Sequence, residues 1–173
     1  MSEPNIPQRA KLFIAIIFSS EEALAAVEKI LLKKFGEIDF RSKTMPFVQT
    51  KQSSDMIRAR YMVILSYRNL IRREDIVEIK LYTNRIEKRF SEKKIRMLNI
   101  DPGYLTLSNV FRATCKDYFH RAYLRKGVYL ENEYRYVARR YQPWEWTTQD
   151  YHKPEHLYFF HELRRIYHNQ IRG

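Results

Sequence analysis

The segment 119–133, FHRAYLRKGVYLENE, gathers an imidazole, three cations, two phenols and two carboxylates around one glycine. Gly127 marks a turn, and two loop lengths fit it. A two-residue loop, Lys126-Gly127, places Tyr129 and Glu131 on the face of Ala122 and Leu124, mixing polar with apolar groups. A three-residue loop, Arg125-Lys126-Gly127 with Gly127 in a left-handed bulge position, sets Leu124 against Val128 and Ala122 against Leu130. Tyr123 then meets Tyr129, and Arg121 meets Glu131, on the opposite face. Register follows the buried face, so the three-residue loop is expected. Lys116 and Asp117 lie just upstream. Two readings are open. One is a cross-strand ion pair beside an aromatic pair, stabilising the sheet by roughly 0.5–2 kcal/mol. The other is a ligand site, where Lys116, Arg121 and Lys126 take an anion, Tyr123 and Tyr129 stack on a ring, and Glu131 orients it. Asp117, His120 and Glu131 are the candidates for acid–base work, although this register puts His120 on the apolar side.

Elsewhere, Lys80, Asn84 and Glu87 share a helix face at i, i+4 and i+7, either as a solvated face or as ligand contacts. Asp101 precedes Pro102-Gly103-Tyr104, a sequence suited to a type II turn, and is a further ligand-binding candidate. Asp101, Asp117 and Glu131 would need to converge to hold a metal, and no metal site is expected. His161-Glu162 lacks the second histidine of a zinc-protease helix, because position 165 is Arg. His161 and His168 stand about 10 Å apart along a helix, too far for one ion. His152, His156, His161 and His168 therefore read as surface or interface residues. No His-x-Thr/Ser pair, GxSxG elbow or Gly-rich dinucleotide turn is present. No cofactor is implied. Cys115, the single cysteine, reads as a packed thiol.

The elements that must position these groups are legible from periodicity. KLFIAIIF at 11–18 suits a strand buried on both faces, and YMVILSY at 61–67 a second one. Ser19 and Glu22 have capping-box spacing. Leu24, Val27, Leu31 and Phe35 form a helix stripe that ends at Gly36, the site of a left-handed cap. A strand follows at 37–40, then a long polar excursion at 41–60. Ile76, Ile79, Thr83, Ile86 and Phe90 give a second amphipathic helix over about 73–91, and 95–100 returns as a strand. The order is β-α-β-β-α-β, which predicts an α+β fold with a ferredoxin-like core on an antiparallel sheet. Residues 104–137 are expected to add strands covering the second sheet face. Pro154 opens a terminal helix to about 171, with Leu157, Phe160, Leu163 and Tyr167 inward. Residues 11–171 read as one domain behind an irregular segment 1–10.

The runs TCKDYFHR at 114–121 and GVYLE at 127–131 resemble the bacterial and archaeal family called domain of unknown function 4416. Lys11–Ile16, Lys33-Phe35-Gly36, Lys80 with Thr83-Asn84 and Glu87, Asn99–Thr106 and Trp146–Tyr151 extend the likeness over most of 11–171. The resemblance implies no established activity. Some relatives carry a GTP-binding label, but glycines at 36, 103, 127 and 173 cannot form a phosphate loop. Family members place an acidic, tyrosine-rich stretch and a Met-Gly near 50–57, where this chain has TKQSSDMI, a departure that bears on any site built there.

With 32 Lys+Arg against 20 Asp+Glu, the net charge is +12, spread evenly along the chain. That surplus suits a polyanionic partner, since phosphate contacts release counterions, and equally suits a solvated basic surface. The leading expectation is a binding module for nucleic acid or a phosphorylated small molecule. The alternatives are an enzyme acting on an anionic metabolite and a protein-interaction unit using Trp144, Trp146 and the tyrosine-rich C-terminal helix. The apolar run 12–18 is far shorter than the roughly 20 residues that span a bilayer. No membrane association is expected, and the expected location is cytoplasmic.

Overall fold

A computed structural model describes residues 2–47, 60–92 and 95–173, without the side chains of Glu92 and Ile95. Along the chain run β1 (Ala10–Phe18), α1 (Glu21–Phe35), β2 (Ile38–Arg41), β3 (Met45–Pro46), β4 (Tyr61–Ile71), a 3₁₀ turn (Arg73–Asp75) and α2 (Ile76–Arg89). Then come β5 (Ser91–Glu92), β6 (Ile95–Arg96), β7 (Leu98–Leu105), β8 (Asn109–Thr114), β9 (Ala122–Arg125), β10 (Val128–Val137), β11 (Arg140–Pro143), a 3₁₀ turn (Gln149–His152) and α3 (Pro154–Gln170). The fold is α+β. One antiparallel sheet has the strand order β11-β10-β8-β7-β1-β4-β2, with β3 on β4 and β9 on β10.

Every residue of β1 is buried, as its unbroken apolar run requires of a strand covered on both faces. Its even-numbered side chains, Leu12 to Phe18, meet α1 through Leu24, Val27 and Leu31 and α2 through Ile79 and Ile86. Phe13, Ala15 and Ile17 face the other way, onto Phe159, Phe160, Leu163 and Tyr167 of α3. The cover of the second face is therefore α3, not residues 104–137. Those residues lengthen the same sheet, because β7 pairs edge to edge with β8 and β8 with β10.

Local signals misdirect in three places. The cap of α1 is Ser20, whose Oγ accepts from Ala23 N at 3.1 Å, whereas Ser19 Oγ turns to the Met97 carbonyl. Asp101-Pro102-Gly103-Tyr104 is no turn but the body of β7, paired with β1 from Lys11↔Leu105 to Phe18↔Leu98. A Cβ on Gly103 would lie 2.3 Å from both the Phe111 carbonyl oxygen and Phe13 Cζ, so this glycine serves close packing. Finally, both Lys126 (φ 54°) and Gly127 (φ 72°) are left-handed, giving a two-residue tip in which Val128 pairs with Arg125. A bulge between Val128 and Tyr129 then restores Tyr129↔Tyr123 and Leu130↔Ala122, the pairs that the longer loop required.

No described helix is long and apolar enough to cross a membrane. The stretch 50–57, where the chain departs from its relatives, lies outside the described residues.

Candidate functional site

β7, β8 and β10 lie side by side, but the β7–β8 ladder stops at Gly103↔Arg112. Beyond that point Asp101 has no cross-strand partner on β8, and side chains occupy the fork. Lys80 reaches in from α2, where its Nζ donates to the Ile100 carbonyl and to Asp101 Oδ1, both at 3.1 Å. Asn99 Nδ2 donates to Asp101 Oδ2 at 2.5 Å. Arg112, directly opposite Glu131 in the β8–β10 register, presents three nitrogens to three carboxylates. Nη1 lies 3.6 Å from Asp101 Oδ2, Nη2 3.4 Å from Glu131 Oε2, and Nε donates to Glu133 Oε1 at 2.5 Å.

Glu131 is shared again on its far side. Arg121 Nε donates to its Oε2 at 2.9 Å, and His120 Nε2 stands 2.9 Å from its Oε1. The network thus runs from Lys80 through Asp101, Arg112 and Glu131 to Arg121 and His120. Burial by itself would raise the Asp101 carboxyl, but Lys80 and Arg112 outweigh it and hold the group below its ordinary pKa. Burial would lower the Arg112 guanidinium, yet Glu133 and Asp101 more than reverse that and keep it firmly charged. Glu133 goes up, driven first by burial and incompletely countered by Arg112. Its Oε2 and the neighbouring Tyr151 hydroxyl have no hydrogen-bond partner among the described residues.

Outside this buried core stands an ordered aromatic wall. His120 stacks on Trp146 (5.1 Å, 11°) and Trp146 on Trp144 (5.1 Å, 9°), while the Arg135 guanidinium lies 4.5 Å from the Trp144 ring. Trp146 Nε1 donates to the Asn132 carbonyl at 2.9 Å, which ties the column to β10. Phe119 packs edge-on against His120 at 4.8 Å, and Tyr118 lies 5.0 Å from Phe119. Phe119 is nevertheless 80% exposed, Tyr118 58% and Tyr123 61%. Aromatic rings so exposed yet so well supported are uncommon away from interaction surfaces.

The expected site residues are distributed as follows. Arg121 and Glu131 converge, and Tyr123 and Tyr129 pair edge to face at 5.2 Å. Glu131 is sealed, however, at 1% side-chain exposure, so it is a structural acceptor and not a solvent-facing acid. His120 precedes β9, where strand alternation no longer applies, and its ring turns to the ionic side instead of the apolar one. Lys80 and Glu87 are buried instead of forming a solvated helix face, and Glu87 Oε1 accepts from Ile100 N at 2.7 Å. Asn84 donates to Cys115 Sγ at 3.2 Å, and that thiol is exposed, not packed. Asp117 accepts from the Tyr129 phenol, whose pKa is raised by desolvation and by that carboxylate. Lys116 is exposed, and its ammonium has no partner among the described residues. Arg125 and Lys126 share the single carboxylate of Glu78 at 3.0 and 2.8 Å. Of the C-terminal histidines, His156 is fully buried, contrary to a surface role.

Neither motif nor spacing singles out Arg112 and Glu133. The available clue was a lone arginine in the otherwise apolar VFRA of 110–113, matched by the Glu-x-Glu of 131–133. Among the described residues no group of three or more His, Cys, Asp or Glu is disposed to hold a metal ion. At the fork, the Arg112 guanidinium occupies the centre on which the carboxylates converge.

A family model described as "Domain of unknown function (DUF4416)" matches residues 8–167. No curated protein and no solved structure gives a significant match.

Proposed function

This chain belongs to the DUF4416 family of domains of unknown function, and from that premise, which carries no activity, we propose that it binds single-stranded nucleic acid on the aromatic surface of the 118–123 segment. The observation that carries this reading is the trio Tyr118, Phe119 and Tyr123, each more than half exposed: Tyr118 and Phe119 pack on His120 of the His120–Trp146–Trp144 column, and Tyr123 packs on Tyr129. Bases stack on such platforms whatever their sequence, at about 1–3 kcal/mol per base. Backbone phosphates need cations beside the rings. Lys116 offers an ammonium unengaged among the described residues, and two cations on Glu78 leave the hairpin tip with a net positive charge. Arg139 and Arg140, both exposed, add positive charge at the other end of β10. Here the buried ionic network is a positioning device. Glu131 holds His120 and Arg121, the residues that flank the platform.

The strand order supports a ferredoxin-like reading of the core. Taking β1, β2, β4 and β7 as its four strands, the order β7-β1-β4-β2 is the 4-1-3-2 arrangement of a split βαβ sandwich, with α1 and α2 on one face. The platform lies on β9 and the loop before it, beyond that core. A cytoplasmic location accords with an exposed thiol and no disulfide among the described residues.

The test is fluorescence anisotropy with labelled single-stranded RNA and DNA over a salt series. The logarithm of affinity should fall linearly with the logarithm of salt concentration. Phe119→Ala and Tyr123→Ala should each weaken binding by about tenfold or more. Salt-insensitive or undetectable binding, or variants indistinguishable from wild type, would remove the proposal.

A further inference from the structure

A groove of about 370 Å³ opens between the start of α2 and the β9–β10 hairpin. Ile76 and Val77 form one wall, Leu124 and Leu130 the other, Tyr104 the floor and Tyr123 part of the mouth. It exists because the hairpin tip is tethered to α2 by Arg125 and Lys126 on Glu78, while the four residues of β9 remain exposed and do not close onto the helix. Arg73, Glu74 and Arg125 ring the opening. Arg73 Nε donates to the Gln8 carbonyl at 3.2 Å, and its two Nη groups have no partner among the described residues.

Building on the nucleic-acid reading, we infer that this groove receives one unstacked base of the strand that lies on the platform. Three features select that occupant. Tyr123, whose ring pairs with Tyr129 on the platform side of the hairpin, also lines the mouth, so platform and groove meet at the β9 edge. The walls are apolar and aromatic, while the rim carries Arg73, with both Nη groups unengaged among the described residues, beside Glu74 and the Glu78-paired Arg125. That arrangement complements a planar base followed by phosphates, with Glu74 positioned to accept from a base amino group. The volume lies at the small end of the range for small-molecule pockets. It admits a nucleotide-sized group and excludes a peptide helix. A base turned out of its stack loses stacking energy and regains it by burial against the walls, the logic by which single-strand readers hold splayed bases.

The experiment uses the full chain and a labelled single strand just long enough to saturate it, with an abasic residue placed at each position in turn. In wild type, one position should lose about tenfold more affinity than its neighbours when its base is removed. Leu124→Trp, at a half-exposed position, fills the groove. It should weaken the intact strand about tenfold, erase the position-specific penalty and leave the salt slope unchanged. Arg73→Ala, a rim change outside the packed core, should lower the salt slope by about one. If the intact strand binds with salt dependence but the abasic profile is flat, or is the same in Leu124→Trp, the groove is not a base seat and the platform reading stands. If no strand binds wild type, the platform reading itself fails, and the groove assignment fails with it.

Discussion

His156 offers the most quantitative test of the packing beneath α3. Its imidazole is 1% exposed, with Nε2 3.1 Å from Met62 Sδ, the Tyr151 ring at 5.2 Å, and Nδ1 unpartnered among the described residues. Desolvation lowers its pKa to about 4 from the ordinary 6.5, and the nearby charges of Asp150, Lys153 and Glu155 make smaller contributions of both signs. A histidine depressed in the folded state binds fewer protons there than in the unfolded chain. Stability from this site is complete above pH 6.5, declines as pH falls, and is exhausted near pH 4. Across that window the loss amounts to about 3 kcal/mol. Urea unfolding at pH 7, 6, 5 and 4 on wild type and His156→Leu isolates the contribution. Between pH 7 and pH 4 wild type should lose about 3 kcal/mol more stability than His156→Leu. Curves that stay parallel would show that the imidazole is not held neutral by burial, and the account of this packing would be wrong.

Arg112→Met removes the guanidinium that Asp101, Glu131 and Glu133 share and should cost about 3–5 kcal/mol at pH 7. In urea unfolding, the deficit relative to wild type at the same pH should shrink near pH 5, as the carboxylates left without Arg112 gain protons. Gly103→Ala forces a Cβ into the Phe111 carbonyl and the Phe13 ring. A loss of about 1–3 kcal/mol is expected, read by calorimetry as a fall of roughly 2–4 °C in Tm per kcal/mol. The double variant Arg125→Ala/Lys126→Ala should change stability by less than about 1 kcal/mol, because its ion pairs are half exposed. In the anisotropy assay the same variant should flatten the salt slope by about two.

The parts of the molecule governed by a single periodicity were legible in the sequence. β1 and β4 follow from their unbroken apolar runs, α1 and α2 from their three- and four-residue stripes. The Tyr123–Tyr129 and Arg121–Glu131 pairs follow from alternation about Gly127. Misreadings arose where two local rules competed. Pro102-Gly103 has turn chemistry, but the alternation Leu98, Ile100, Tyr104 and the crossing Phe13 ring make it strand. Lys126 adopts a positive φ that its residue type does not advertise, because the tip is anchored to Glu78. The ionic centre was legible only in part. Asp101, Arg112 and Glu133 lie on three strands and meet through a fork in the ladder, a tertiary event without a local pattern. The aromatic column was missed likewise, since Trp144 and Trp146 reach His120 from the far side of β11.

The bulge on β10 between Asn132 and Tyr134 adds one residue to the strand, so Glu131 and Tyr134 both project toward α3 despite their odd spacing. β10 also carries β9 and β11 on the same edge, one before the bulge and one after it. The bulge therefore works as a spacer that uncouples the phasing of its two halves. A change of loop length at the Lys126-Gly127 tip would shift β9 without shifting Tyr134, which packs on the face covered by α3.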